Sequence, residues 1–278
     1  MFARLKAAAA ERGLPSAVMT FEPHPREVFT PEQAPARLTS LREKLELFRR
    51  HGIERVALAR FSKQFASLSA QAFIEHILIA GIQARWILVG DDFRFGAQRA
   101  GDFALLQQAG KTHGFEVESL PSVLIEGVRV SSTAVREALT LGNMTLAAQF
   151  LGRPYSISGR VVHGDKLGHK LGYPTANIQM KHNKPPLSGI FAVELYGFDG
   201  SRLPGVASLG VRPTVKQNGA ATLEVHLFDF HDRIYGAHVR VDFLHKLRDE
   251  EKFPDLPALI VQIARDVADA KDFFAARR

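Results

Sequence analysis

The chain has 278 residues, 46% hydrophobic and 23% charged, which is long enough for two domains with substantial cores. It has no cysteine, so disulfides and thiolate metal sites are excluded and a reducing cytoplasm is the natural expectation. A net charge of +7 and an isoelectric point near 9.8 favour anionic partners, but the basic residues are scattered, and Arg49-Arg50 and Arg277-Arg278 are the only adjacent pairs. That argues against nucleic acid as a partner. No apolar run approaches the ~20 residues a membrane helix needs, and the charged start, MFARLKAAAAERG, has no signal-peptide core, so no membrane is expected either.

Taken in order, residues 2–12 are alanine-rich and end at Gly13, which reads as a helix. Residues 17–21 form a short apolar run, expected as a buried strand, followed by Glu22-Pro23-His24-Pro25, where two prolines predict an extended turn. Helices are expected at 41–50, 69–80 and 101–113, and strands at 54–60, 86–89 and 115–120. The alternation predicts a parallel sheet covered by helices on both faces, a doubly wound α/β domain running to about residue 147. Ligands in such folds sit beyond the carboxyl ends of the strands, where His24 and Asp91-Asp92 fall. Asp91-Asp92 reads equally well as a turn, and His24 alone as a loop histidine. Ser131-Ser132-Thr133 opens a helix with Arg136 one turn on; these hydroxyls suit helix caps and also suit a phosphate at the helix N-terminus.

From about residue 153 to 278 the pattern changes to short strands, expected at 155–163, 189–198, 203–211, 221–229 and 238–244. That spacing predicts a small all-β barrel or sandwich. Within it, Leu223, Val225 and Leu227 alternate with Glu224 and His226, which places Glu224 on the polar face. Asp255 can cap a final helix whose Leu256, Leu259, Ile260, Ile263 and Val267 form one apolar stripe.

The stretch GRVVHGDKLGHKLGYPTAN runs from Gly159 to Asn177, with glycines at 159, 164, 168 and 172 and Lys166, His169 and Lys170 among them. Glycine lets backbone N–H groups approach an anion without a Cβ in the way, so the loop suits a polyphosphate, although a mobile surface loop has similar composition. It is not a Walker A loop. Thr175 and Asn177 are two apart, so on an extended strand their side-chain oxygens share a face, where neutral oxygens beside phosphates can help seat Mg²⁺.

Together these motifs resemble the bacterial bifunctional riboflavin kinase/FAD synthetase family, over nearly the whole chain and in the family's order. The glycine-rich stretch is similar to the kinase ATP loop. GVASLGVRPTV, LEVHLFDF, Ile234-Tyr235-Gly236 and FLHKLRDEEKF are similar to the remaining kinase motifs, and TFEPHP, GDDFRFG and SSTAVR to nucleotidyltransferase motifs. The resemblance implies a Greek-key barrel kinase domain with a C-terminal helix, and ATP, riboflavin and FMN as substrates with Mg²⁺. By the same resemblance Gly159, Gly164, Lys166, Gly168, Thr175 and Asn177 contact ATP, with Thr175 and Asn177 also at the metal, and Glu224 is the general base. Leu227, Tyr235, Arg248, Glu250 and Phe253 are implied at the flavin, and His24, Asp92, Ser131, Ser132, Thr133 and Arg136 at the nucleotide of the adenylyltransferase. The family's first domain opens with a strand and an HxGH motif that this sequence does not contain ahead of its first helix. FMN is therefore expected to accumulate, with negligible adenylylation to FAD.

Overall fold

The computed structural model describes residues 1–164, 168, 171–182, 184–197, 200–211 and 221–277. Lys166, His169 and Lys170 lie outside the described residues. The chain divides into two compact units, one of residues Met1–Pro35 with Lys44–Val123, the other of Ala36–Glu43 with Leu124–Arg278.

The first unit begins with α1 (Phe2–Glu11), which runs out at Gly13 in the left-handed region (φ 60°), where glycine is under no strain. Strand β1 (Ala17–Glu22) follows, and then, against expectation, a short helix α2 (Pro25–Phe29). Pro25 sits at its first turn, where a missing N–H and a fixed φ do no harm. His24 caps it: Nδ1 accepts from the Arg26 N–H at 3.2 Å, and Glu27 accepts from the His24 N–H. Next come α3 (Leu41–Arg50), where the two units meet in sequence, and β2 (Arg55–Arg60), which pairs in parallel with β1 from Ala17↔Arg55 to Glu22↔Arg60. Two short helices, α4 (Lys63–Ala66) and α5 (Ala70–Ala72), lead into a π-helical stretch at Phe73–Gly81. Strand β3 (Trp86–Gly90) pairs in parallel with β4 (Glu116–Leu120) across α6 (Phe103–His113), which Asp102 caps and Gly114 ends at φ 76°. Phe73, Ile74, Leu78, Phe95, Leu106 and Phe115 form the core.

The parallel strands are present, but as two separate pairs rather than one sheet. A cavity of about 830 Å³ lies among α1, β1, β2 and β3. Consecutive residues line it along β1 (Ala17, Val18, Met19) and along β3 (Trp86 to Gly90), so both strands meet it edge-on.

The second unit opens with a two-stranded hairpin, β5 (Leu124–Ile125) and β6 (Val128–Arg129), then α7 (Ser132–Thr140) and α8 (Met144–Leu151). Six strands follow: β7 (Tyr155–Val162), β8 (Ala176–Met180), β9 (Gly189–Tyr196), β10 (Leu203–Val211), β11 (Ala221–Leu227) and β12 (His238–Arg248). They close into an antiparallel barrel in the order β10-β11-β8-β7-β12-β9. Its interior is apolar, with Ile157, Phe191, Leu195, Leu209, Val225 and Val241 at most 1% exposed. Of β8, the sequence pattern points only to its start, next to Thr175 and through Asn177.

Val135, Leu139, Met144 and Phe150 of α7 and α8 belong to the same buried cluster as the barrel interior. The packing boundary therefore falls near Leu124, earlier than the change of pattern at 147–153, because these two helices cover the barrel. A last helix, α9 (Leu256–Ala275), capped by Asp255, lies on the outside of the barrel. Its contact face matches the expected stripe only in part: Val267 packs, together with Ala270, Phe273 and Phe274, on Ile190, Ala192, Val206 and Phe228, whereas Leu256 and Ile260 are exposed. Among the described residues, no helix is long and apolar enough to cross a membrane.

Candidate active site on the outer face of the barrel

Strand register builds the site. Leu223 and Val225 fill the barrel interior, so Glu224 between them points outward, as the alternation predicts. Glu224 stands opposite Asn177 of β8 on one side and opposite Ser208 of β10 on the other. Residues directly opposite in an antiparallel pair share a face, so Asn177, Glu224 and Ser208 form one row across three strands. Thr175, two residues before Asn177, joins the row: its hydroxyl donates to Glu224 Oε2 at 3.4 Å. His226, next on the same face of β11, has Nδ1 2.9 Å from the Pro174 carbonyl and Tyr173 edge-on to its ring.

The glycine-rich stretch packs against this row. A Cβ on Gly164 would collide with the Asn177 amide group, and one on Gly168 with the Tyr173 carbonyl and then the Thr175 side chain. Gly168 also accepts backbone hydrogen bonds from Leu171 and Tyr173. These two glycines therefore allow the loop to lie directly on the two oxygen-bearing side chains. Gly159 is elsewhere: it faces the barrel interior of β7, where a Cβ would meet Gln179 and Ile178. Tyr235 stacks on His163 with ring centroids 3.9 Å apart, beside the start of the loop. Leu227 is buried in the barrel core.

On the far side of the row lies the segment after β12. Glu250 reaches back so that its carboxylate fills the space a Gly210 Cβ would need. Partial desolvation pushes the Glu250 carboxyl above the ordinary range, offset by a hydrogen bond from Ser208 and by the charge of Arg248. Arg248 is itself committed: Nε and Nη2 donate to the two oxygens of Asp266 at 2.7 and 2.8 Å, and Nη1 donates to the Asp249 carbonyl. Its guanidinium also lies 5.6 Å from the Phe253 ring. The site thus offers a carboxylate with two neutral oxygen ligands on one side and a second carboxylate on the other.

The remaining expected residues divide between the units. In the first, His24 caps α2 and is exposed; Asp91 is bound to the Ser122 hydroxyl at 3.0 Å, and Asp92 lies against Gly90. In the second, Ser131 caps α7 by accepting from the Ala134 N–H at 3.1 Å, and Ser132 and Thr133 are exposed in its first turn. Arg136 folds back over that turn, donating to the Ala36 and Ser132 carbonyls.

Comparison with known proteins finds two families along the chain, with bounds that differ from the packing boundary near Leu124. Residues 1–134 match the FAD synthetase family and residues 151–274 the riboflavin kinase family. The bifunctional riboflavin kinase/FMN adenylyltransferase of Escherichia coli K12 is 48% identical over 95% of this chain and 84% of its own length. That of Pseudomonas fluorescens is 48% identical over 98% and 86%, respectively. The chain belongs to this bifunctional family. A solved structure from Streptococcus pneumoniae, described as a macrolide-efflux protein, has the same fold, with a TM-score of 0.80 and 32% identity over 95% of this chain and 86% of that one.

Within the family framework, two residues around the site and one elsewhere in the unit escaped the sequence. Ser208 lies within the GVASLGVRPTV motif, but only the β10–β11 register puts it beside Glu224. Asp266 looked like one of several acids on a helix, and its pairing with Arg248 links residues 18 apart. Glu43 is nearly buried at 5% exposure and accepts from the Ser158 N–H at 2.6 Å, so it fastens residues 36–43 to the outside of β7. The Ser40-Leu41-Arg42-Glu43 spacing is that of a helix capping box, and both of its bonds are made, but that pattern does not show that the glutamate also meets β7.

Proposed function

We propose that the barrel unit phosphorylates riboflavin to FMN with ATP, and that Glu224 is the general base. The observation that carries this is the row Thr175–Asn177–Glu224–Ser208, with two glycines packed against its oxygen-bearing end. A primary hydroxyl is a weak nucleophile at neutral pH, so the transfer gains from a carboxylate placed to take its proton. In the step, the riboflavin 5′-oxygen forms a bond to the γ-phosphorus, the bond from that phosphorus to the β–γ bridging oxygen breaks, and ADP leaves. The hydroxyl proton passes to Glu224. Thr175 positions that carboxylate by hydrogen bonding, and backbone around Gly164 and Gly168 can approach the phosphates closely.

The donor set fits Mg²⁺, since Thr175 and Asn177 offer hard, neutral oxygens and the nucleotide would supply the rest. When bound, the ion would neutralise phosphate charge. Tyr235, Arg248, Glu250 and Phe253 are assigned to the flavin side and Lys166 to the nucleotide. Gly159 and Leu227, both facing the barrel interior, support these residues through packing.

The relatives' second activity, adenylylation of FMN to FAD, is the proposed function of the nucleotidyltransferase region, with His24, Asp92 and Ser131 to Arg136 as its candidate residues. A cytoplasmic location is proposed with it. Incubation with riboflavin and MgATP, followed by chromatography of the flavins, tests both steps: FMN is expected first and FAD after it. Riboflavin bound but recovered unchanged would overturn the kinase reading in favour of a flavin-binding protein. Chelation of Mg²⁺ is expected to stop FMN formation.

A further inference from the structure

Two anchors hold the segment Asp249–Phe253, one just before it and one within it. Just before it Arg248, the last residue of β12, is gripped by Asp266 of α9. Asp266 is 4% exposed and receives two parallel guanidinium hydrogen bonds at 2.7 and 2.8 Å, with a third from Gln262 at 3.0 Å. The fork geometry fixes the guanidinium plane as well as its position. Arg248 passes that constraint forward, through its bond to the Asp249 carbonyl, its ion pair with Glu251 at 3.4 Å and its contact with the Phe253 ring. Within the segment the Glu250 carboxylate rests on Gly210 and Ser208, and Ser208 stands directly opposite Glu224.

We propose that Asp266 is a positioning residue for riboflavin: through Arg248 it fixes the Asp249–Phe253 segment so that Glu250 seats at Ser208 and Gly210, beside Glu224. The assignment rests on the kinase reading above. Asp266 does not itself face the row. Its carboxylate is used on Arg248 and Gln262, so its effect on substrate is indirect. A merely structural role would be to dock α9 on the barrel, and the apolar contacts of Val267, Ala270, Phe273 and Phe274 already do that. The two roles therefore differ in what they change. A loose segment weakens the flavin side of the site and leaves the nucleotide side, built from Thr175, Asn177 and the glycines, as it was.

The test compares three variants of the full chain by steady-state kinetics and by quenching of riboflavin fluorescence on binding. Asp266→Asn keeps the shape but can accept only one of the two forked bonds. It is expected to raise the KM and Kd for riboflavin roughly tenfold, the scale of a lost hydrogen bond to a charged group, with the KM for MgATP within about twofold. Gly210→Ala disturbs the other anchor while leaving Asp266 in place. The atoms nearest the new methyl group are the end of the flexible Glu250 side chain, which can yield, so the same riboflavin-selective change is expected. Lys271→Ala removes a contact of α9 with the Phe228 ring, 5.4 Å away, without touching Arg248, and is expected to lower thermal stability slightly with no such selectivity. If Asp266→Asn lowers stability as Lys271→Ala does and leaves riboflavin KM and Kd at parent values, the assignment is overturned. A parent enzyme that makes no FMN overturns the kinase reading itself, and the assignment with it.

Discussion

Each barrel strand of the second unit has a hydrogen-bonded neighbour on both sides, whereas β1 and β3 of the first unit have one each, and a cavity of about 830 Å³ lies along their other edges. Closure separates two tasks. Inward side chains and the ring of backbone bonds hold the barrel, so an outward row such as Asn177–Glu224–Ser208 can be polar without weakening it. The first unit has no such separation. Its strand pairs depend on side-chain packing from α6 and the π-helical stretch, and several residues that pack there, such as Phe73, Leu78 and Leu106, also line the cavity. Substitutions on the barrel's outer row should therefore alter chemistry alone, and those that alter stability should act on one unit at a time.

The largest expected effect tests that separation directly. Glu224→Gln preserves size and hydrogen bonding but cannot take the substrate proton, and loss of a general base typically lowers turnover by roughly 10²–10⁴-fold. Because the side chain is outside the barrel, melting should be little changed. Turnover within a few-fold of the parent would make Glu224 a bystander. An order of magnitude smaller, Asn177→Ala is expected to raise the KM for MgATP about tenfold with riboflavin affinity nearly intact. Equal kinetics across MgATP concentrations would remove Asn177 from the phosphate side. The glycine contact suggests a companion: Gly164→Ala forces the Asn177 amide aside and should reproduce much of the same defect.

How far the sequence could be read follows from the range of each interaction. Glu224 was legible because alternation is local: Leu223, Val225 and Leu227 determine which way it points. Thr175 and Asn177 were legible as a pair for the same reason. The α2 helix was not, because the prolines at 23 and 25 were weighed as breakers, and only the His24 cap shows that Pro25 occupies the permitted first turn. The contact face of α9 was legible only in part, because Leu256 and Ile260 fit the periodicity, while Phe274 meets Phe228 and Phe273 stacks on His245, partners no helix-internal pattern can supply. Ser208, Asp266 and Glu43 depend on strand register or on partners far away in sequence.

Stability offers a sharper form of the comparison. With open strand edges and a cavity, the first unit is expected to unfold first, so calorimetry should show two transitions. A single cooperative transition would mean that the units do not melt independently. Glu43→Ala then marks the second transition. It strips an acceptor from the buried Ser158 and Ser40 N–H groups, each 2.6 Å from its carboxylate. Leaving buried donors unsatisfied costs about 1–3 kcal/mol. For a unit of this size each kcal/mol shifts Tm by roughly 2–4 °C, so the second transition should move down by several degrees. A shift confined to the first transition would contradict the assignment of residues 36–43 to the barrel.

The smallest expected effect is a pH slope. The His182 ring is fully buried, with Nε2 3.3 Å from Glu43 Oε2. Burial pulls its pKa below the ordinary value and outweighs the upward pull of Glu43 and the Leu38 backbone, while Arg37 adds to the lowering. The folded protein therefore resists a proton that the unfolded chain accepts near pH 6.5. Where the unfolded state binds more protons, stability rises with pH. The contribution of His182 is thus fully present above about pH 6.5 and is lost as pH falls from there through the lower folded value. Other groups titrate over the same range, so the measurement is a difference of slopes between the parent and His182→Gln, which cannot titrate. Between about pH 7.5 and 5.5 the second transition of the parent should fall more steeply than that of the variant. The first transition should move identically in both proteins, because His182 lies in the second unit. Parallel slopes for the second transition would mean that His182 takes up its proton equally in the folded and unfolded states, and Glu43 would then compensate its burial in full.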